Sequence, residues 1–197
     1  MPKLKKIVVK KITVNYPYLP EGREILYVSL TNRMMKMAKH MTDNFTGCSF
    51  WPTGAVVVKS GKVIGKGANS GLAFQPLCPR IKNKVPTGTG YEACFDVCKQ
   101  DAHAEITSIN NAIKNGNDPA GADIYLYGHW WCCKPCWDHI VKHKINKVFL
   151  LNNAHYIFTR EKRSKLMNKI EKMYDNGKTP TIKDVIWTLT KSKICAN

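Results

Sequence analysis

Two short motifs combine metal-binding side chains with a carboxylate. The first is His103-Ala104-Glu105, and the second, further along the chain, is Cys133-Lys134-Pro135-Cys136. One imidazole and two thiolates suit zinc, and three protein ligands leave the fourth position of a catalytic zinc open for water. A carboxylate two residues from the histidine can reach that water without binding the metal. The motifs therefore predict a zinc held by His103, Cys133 and Cys136, with Glu105 moving protons.

Both motifs are predicted to lie where helices begin. Residues 102–114 have a helical pattern, residues 124–127 form a predicted strand, and residues 135–144 form the next predicted helix. A helix N-terminus lowers the pKa of a thiol, which helps the Cys-x-x-Cys pair to bind a metal. An isolated Cys-x-x-Cys can also be a redox pair, and His-x-Glu occurs by chance in many chains. Their combination across one strand favours the metal site.

The other elements predict an α/β fold. A hairpin is expected from residues 54–60 and 63–67, and residues 147–151 form a buried strand. Further helices are predicted over 30–43, 160–174 and 182–190. Residues 1–28 are expected to form one or two short basic strands, and residues 69–101 a long loop. Alternating strands and helices indicate a three-layer α/β/α sandwich around a mixed sheet of roughly five strands.

The composition favours a folded protein with an anionic partner. The 197 residues include 31 Lys and Arg against 14 Asp and Glu, a formal charge of +17. This excess predicts binding of nucleotide phosphates or nucleic acid, unless the surplus lysines only maintain solubility. No apolar run approaches the ~20 residues of a membrane span, and the basic N-terminus lacks a signal-peptide cleavage site. We therefore expect a cytoplasmic protein with no membrane partner, in which cysteines bind metal rather than form disulfides.

The stretch from about residue 30 to residue 152 resembles the deoxycytidylate (dCMP) deaminase branch of the cytidine deaminase superfamily. Besides the zinc motifs, the matching segments are Gly54-Ala55-Val56-Val57-Val58, Gly67-Ala68-Asn69-Ser70-Gly71, Leu126-Tyr127-Gly128-His129 and Ile145-Asn146-Lys147-Val148. The resemblance implies a cytidine-deaminase-like fold and division of the chain into a basic N-terminal extension, 1–28, a deaminase domain, 29–155, and a basic helical C-terminal extension, 156–197. It also implies a homo-oligomer.

The resemblance assigns roles within the site. It implies a zinc-activated hydroxide that attacks C4 of a pyrimidine, while Glu105 passes the proton to N3 and then to the leaving amine. Backbone N–H groups around Ala104 would contact the base. Asn69 matches a sugar-contacting asparagine, although it could also be a simple turn residue before Gly71.

Several residues near the expected pocket depart from the family pattern. Cys132 stands where the family has proline, His129 where threonine or serine is usual, and Trp130 and Trp131 where smaller residues are common. We expect His129 and Trp131 to contact the substrate and to alter which base or substituent is accepted. The alternative is that the two tryptophans are core residues beneath the site.

The resemblance further suggests a second, structural zinc, because some members of the branch carry one. Its candidate ligands are Cys48, Cys78, Cys94 and Cys98, of which the last two have the i, i+4 spacing of one helix face. Four thiolates would close the coordination shell of zinc and leave no position for water. Asp101 or a histidine could replace one cysteine, or the four could be small buried hydrophobic residues.

The predicted function is zinc-dependent deamination of a cytosine nucleotide, with dCMP converted to dUMP. Arg80, Lys82 and Lys84 are the candidates for binding its phosphate. One alternative is a deaminase acting on a base in RNA or single-stranded DNA, which the positive charge would favour. Another is a non-catalytic zinc module that binds nucleic acid, although such a module would have no use for the carboxylate of Glu105.

Overall fold

The computed structural model of the protein describes residues 14–45, 47–48, 50–69, 71, 73, 75, 78–86 and 88–178. The helix predicted over 182–190, the first basic residues of the chain and Cys195 lie outside these ranges. The described residues form a sheet of five strands and seven helices.

The sheet is mixed, as predicted. Its strands are β1 (Ile25–Val28), β2 (Gly54–Lys59), β3 (Lys62–Ala68), β4 (Asp123–Tyr127) and β5 (Val148–Leu151), arranged in the order β1-β5-β4-β2-β3. β2 is antiparallel to both β3 and β4, whereas β5 is parallel to both β4 and β1. β1 comes from the segment expected to be an N-terminal extension, so part of that segment forms one edge of the sheet.

The helices agree with the predicted pattern, except in the long segment before the first zinc motif and at the short helix Ala154–Ile157, neither of which was predicted to be helical. They are α1 (Arg33–Phe45), α2 (Pro79–Lys82), α3 (Glu92–Asp96), α4 (Ala104–Lys114), α5 (Lys134–Lys142), α6 (Ala154–Ile157) and α7 (Arg160–Asp175). The expectation of a long loop over residues 69–101 was wrong in part, because the short helices α2 and α3 lie within it. In the described part of the chain, no helix combines the length and apolar character that crossing a membrane requires.

Two glycines of the hairpin identify the helix on each face of the sheet. A Cβ added at Gly54 would lie 2.3 Å from the carbonyl oxygen of Ala38 in α1, whereas one added at Gly67 would lie 2.4 Å from the amide nitrogen of Ser108 in α4. Gly67 pairs with Ala55, the neighbour of Gly54, and successive strand residues point to opposite faces. α1 and α4 therefore cover opposite faces and complete the predicted three-layer α/β/α sandwich.

The fold brings the two zinc motifs together at the N-termini of α4 and α5, which pack against each other. His103 and Cys133 are the N-cap residues of these helices, and both have extended backbone conformations. Trp137, one turn into α5, is fully buried in the core and anchors this helix. The core thus holds the two helix N-termini, and with them the predicted metal ligands, in a fixed relation.

Candidate metal centre and active site

The three predicted zinc ligands converge at one point. Nδ1 of His103 lies 3.3 Å from Sγ of Cys133 and 3.4 Å from Sγ of Cys136. Ligands of a tetrahedral zinc are about 3.5 Å apart, given the usual Zn–N and Zn–S distances. Among the described residues, these three form the only group of three or more metal-binding side chains whose ligand atoms lie within 4.8 Å of one another.

The pKa values of the two thiols are shifted in opposite directions. Hydrogen bonds from Cys136 and then His103 lower the pKa of Cys133 to about 4, whereas burial raises the pKa of Cys136 well above its usual value. A thiolate is the form that binds a metal, and the donor set of two sulfurs and one imidazole matches zinc. The residues present therefore fit a zinc ion.

Glu105 lies beside the metal centre in a buried position. Its side chain is in the first turn of α4, and the residue is only 5% exposed. Burial raises the pKa of the Glu105 carboxyl, and a hydrogen bond with the thiol of Cys132 partly offsets this. A carboxyl group with a raised pKa takes up a proton more readily, as a proton carrier in a reaction must. The sequence assigned no role to Cys132, whose contact with Glu105 depends on how the two helix N-termini meet.

A cleft opens onto the metal centre, and all four predicted substrate-contacting residues line it. These are Asn69, Ala104, His129 and Trp131, which share the cleft with His103, Glu105 and Cys133. The ring of Trp51 lies 4.8 Å from that of His129, which in turn lies 5.8 Å from that of Trp131. The sequence did not single out Trp51, because its contact with His129 joins distant parts of the chain.

The rings of Trp51, His129 and Trp131 form an aromatic wall of the cleft. Within it, His129 is a neutral imidazole. Burial lowers its pKa to about 3, assisted by the positive charges of His103 and Arg163. Its Nδ1 accepts a hydrogen bond from the backbone N–H of Trp131 at 3.4 Å. Trp131 itself is 4% exposed, and its indole N–H has no hydrogen-bond partner among the described residues. The wall therefore presents flat rings to the cleft and contains one buried donor.

Asn69 lies in the cleft, but both ends of its amide are engaged with the backbone. Its Oδ1 accepts a hydrogen bond from the N–H of Thr53 at 2.8 Å, and its Nδ2 donates to the carbonyl of Trp51 at 2.5 Å. These bonds fix the segment that carries the Trp51 ring. Its contact with a sugar remains a prediction.

Of the three basic residues proposed to bind phosphate, only Arg80 lines the cleft. It is 9% exposed, and its guanidinium lies 4.4 Å from the centre of the Tyr91 ring. It also hydrogen-bonds to Cys94, while its Nε lacks a partner among the described residues. Lys82 and Lys84 are exposed and do not line the cleft. Tyr91, which the sequence did not single out, also packs edge-on against His103 at 5.0 Å.

The four cysteines proposed for a second zinc lie near one another beside the same cleft. The thiols of Cys78 and Cys94 raise the pKa of Cys48, and the thiols of Cys94 and Cys78 raise that of Cys98, in each case after burial as the larger cause. No three of the four sulfurs are within 4.8 Å of one another. The thiols thus share one region without the close spacing of the first centre, and their metal-binding role remains a prediction.

Comparison with known protein families gives one match that spans most of the chain. The model described as "Cytidine and deoxycytidylate deaminase zinc-binding region" matches residues 28–152. No curated protein matches the chain by sequence.

Solved structures with a similar arrangement come from several deaminases. One is a dCMP deaminase from the cyanophage S-TIM5, 20% identical, covering 64% of this chain and 86% of that one with a TM-score of 0.41. Another is a Thermotoga maritima diaminohydroxyphosphoribosylaminopyrimidine deaminase/5-amino-6-(5-phosphoribosylamino)uracil reductase, 22% identical, covering 83% of this chain and 38% of that one at 0.41. A third is a Bacillus subtilis guanine deaminase, 26% identical, covering 60% and 63% at 0.36.

Proposed function

Because the chain belongs to the family of the cytidine and deoxycytidylate deaminase zinc-binding region, we propose that it hydrolyses dCMP to dUMP and ammonia. Family membership gives the coarser activity, zinc-dependent hydrolytic deamination. The observation that carries the proposal is the position of Glu105, a buried carboxyl beside the group of His103, Cys133 and Cys136 in a cleft walled by aromatic rings. A purely structural metal site would not need this carboxyl.

In the proposed reaction, zinc held by these three residues supplies Lewis acidity to the site. Glu105 takes one proton from the attacking water and gives it to N3 of the cytosine. It then takes the remaining proton of the same oxygen and gives it to the amine, which leaves C4 as ammonia. Burial of Glu105 assists uptake of the proton, because its raised pKa favours the protonated form that then acts as the acid. The rings of Trp51, His129 and Trp131 would bind the faces and edge of the base and exclude bulk water.

Arg80 supports a phosphorylated substrate over a free nucleoside. A guanidinium that is nine-tenths buried is expected to have an anionic partner, yet no carboxylate forms a salt bridge with Arg80 within the described part of the chain. The 5′-phosphate of a nucleotide would provide that partner, as a strong charge-assisted acceptor. Lys82 and Lys84, exposed on the same segment, would add only long-range attraction.

The second candidate is a deaminase of a base in RNA or single-stranded DNA, which the formal charge of +17 favours. Such an enzyme would bind an extruded base in the same cleft, and its affinity would fall steeply with salt.

The deciding experiment measures ammonia release by the zinc-loaded protein with dCMP, deoxycytidine and a cytosine-containing oligonucleotide. We expect turnover of dCMP, and a loss of roughly 10²–10⁴-fold in kcat for Glu105→Gln with zinc content unchanged. Arg80→Gln should raise KM for dCMP while leaving the weaker reaction with deoxycytidine unaffected. Activity on the oligonucleotide alone would establish the second candidate, and full activity of Glu105→Gln would refute the proposed proton transfer.

A further inference from the structure

The segment that follows the family match packs against the substrate cleft. The match ends at residue 152, whereas α6 and α7 extend from residue 154 to residue 175. Phe158, between these two helices, is 4% exposed and lies edge-on against the Tyr127 ring at 5.3 Å. Tyr127 is the last residue of β4, directly before the turn that leads to His129. The C-terminal segment is therefore anchored to the core next to the cleft.

Arg163 of α7 reaches into one wall of the cleft. It is 5% exposed, its Nη2 donates a hydrogen bond to the carbonyl of Gly128 at 2.8 Å, and its guanidinium lies 5.2 Å from the centre of the Trp51 ring. Gly128 is in tight contact with the segment before Thr53, since an added Cβ would lie 2.2 Å from the carbonyl oxygen of Pro52. One guanidinium thus holds both the Trp51 segment and the turn that presents His129.

Arg160, one turn earlier on α7, holds a second segment that lines the cleft. Its Nη1 donates a hydrogen bond to the carbonyl of Val85. The N–H of Val85 in turn bonds to the carbonyl of Arg80 at 2.8 Å. Three residues further on, Gly88 lines the cleft close to the Trp131 ring. The Arg160 contact therefore joins α7 to the segment that carries the buried guanidinium of Arg80.

We propose that α7 is a positioning element of the substrate site, in which Arg163 and Arg160 hold the aromatic wall and the Arg80 segment at the spacing that substrate binding requires. Neither arginine lines the cleft, so both act through other residues. The kinetic part of this inference rests on the proposed function. The geometry predicts that loss of either arginine weakens binding of substrate more than it slows the chemical step, because the metal centre and Glu105 are held by α4 and α5.

The kinetic test compares Arg163→Met, Arg163→Lys and Arg160→Met with Lys165→Met, which removes an exposed charge from the same helix. We expect KM for dCMP to rise about tenfold in both Met variants, with kcat within about twofold of the wild type. Arg163→Lys should recover part of the loss, because lysine can donate to the Gly128 carbonyl but lacks the planar group over Trp51. Lys165→Met should match the wild type. Unchanged KM in Arg163→Met and Arg160→Met, or a fall in kcat alone, would overturn the inference.

A second measurement needs no substrate and separates this inference from the proposed function. In native-state hydrogen exchange of the full chain, Arg163→Met should speed exchange around residues 50–53 and 128–131, and Arg160→Met around residues 80–86, while β4 and β5 keep their protection. Equal exchange in these segments would refute positioning by α7, whatever the enzyme acts on. A wild type inactive on dCMP, with the expected exchange, would refute only the proposed substrate.

Discussion

At the scale of single residues, burial acts in opposite directions on two groups in the same cleft. It raises the pKa of Glu105 and lowers that of His129, because removal from water disfavours whichever form is charged. The acid gains a proton more readily and the base less readily, so both shifts favour the neutral side chain. Glu105 can therefore carry protons in the same cleft in which the His129 ring stays uncharged, as suits contact with an aromatic base.

The buried His129 predicts how stability depends on pH. Its pKa is lowered from 6.5 to about 3 on folding, so between these values the unfolded chain binds more protons than the folded one. Proton binding by His129 in the unfolded chain therefore lowers the stability of the folded protein as the pH falls below 6.5. Between pH 7.5 and 5.0 the free energy of unfolding should fall by about 2 kcal/mol from this cause. His129→Asn, which can still accept the Trp131 N–H, should remove this part of the pH dependence.

Urea unfolding of wild type and His129→Asn at both pH values measures this difference. Acid also weakens metal binding in both proteins, so the comparison between them isolates His129. His40→Asn, at an exposed position on α1, is the control and should follow the wild type. Equal losses of stability in wild type and His129→Asn would mean that His129 can be charged in the folded protein.

Residue spacing could predict the metal ligands, and the resemblance added Asn69, Ala104, His129 and Trp131, which line the cleft, but other residues around the site were missed. His103, Cys133 and Cys136 belong to local motifs whose helix positions follow from sequence, and the core then brings the helices together. Trp51 and Tyr91 approach the site from separate segments, and their contacts depend on loop paths that carry no periodic signal. The same holds for Arg163, which reaches the site from a helix outside the recognisable family region.

At the scale of elements, the fit of α4 on the hairpin determines where His103 and Glu105 lie. A methyl group at Gly67 would meet the amide nitrogen of Ser108 at 2.4 Å and the carbonyl of Ala104 at 2.9 Å. Gly67→Ala should therefore push the start of α4 outwards, lowering the free energy of unfolding by about 1–3 kcal/mol and weakening zinc binding.

Urea unfolding and competition for zinc with a chromophoric chelator measure the two effects of Gly67→Ala. Lys62→Ala, at an exposed position on the same strand, should change neither. A Gly67→Ala protein with wild-type stability and zinc affinity would show that α4 can shift without disturbing the metal centre.

The prediction of the fold succeeded where the sequence pattern is periodic. β2, with five successive buried residues, and the helix of the first zinc motif follow the predicted bounds within two residues or so. The segment over 69–101 failed, because α2 and α3 have only four and five residues, too few to produce a helical period. The sequence also did not reveal that β1 pairs with β5, because these strands are far apart in the chain and no local pattern specifies the partner of an edge strand.

Those two short helices carry a further prediction, because α2 begins directly after Cys78 and α3 contains Cys94. If the four thiols near the cleft bind a structural zinc, the wild type should contain two zinc ions per chain and Cys94→Ala only one. Elemental analysis after exhaustive dialysis counts them. Cys132→Ala, a buried cysteine outside the group, should keep both. One zinc in the wild type and in Cys94→Ala alike would mean that the four cysteines are small apolar residues.

At the scale of the whole molecule, the formal charge of +17 determines which substrates are attracted before any contact forms. A strongly positive protein raises the local concentration of anions and speeds their association, and salt screens this effect within a Debye length of about 8 Å at physiological ionic strength. The field itself does not distinguish a mononucleotide from a polynucleotide. The number of counterions released when each substrate binds does distinguish them.

The last prediction therefore compares salt dependence among substrates. If the enzyme acts on dCMP, kcat/KM should fall by roughly three- to tenfold between ~50 and ~300 mM salt, with kcat unchanged, because screening weakens association but not the chemical step. Deoxycytidine, which lacks the phosphate, is the matched control and should show no fall. A polynucleotide substrate would instead show a much steeper decline, since several phosphates release counterions together. An equal fall for dCMP and deoxycytidine would mean that salt acts on the fold or the metal centre, and that the positive charge has no part in substrate capture.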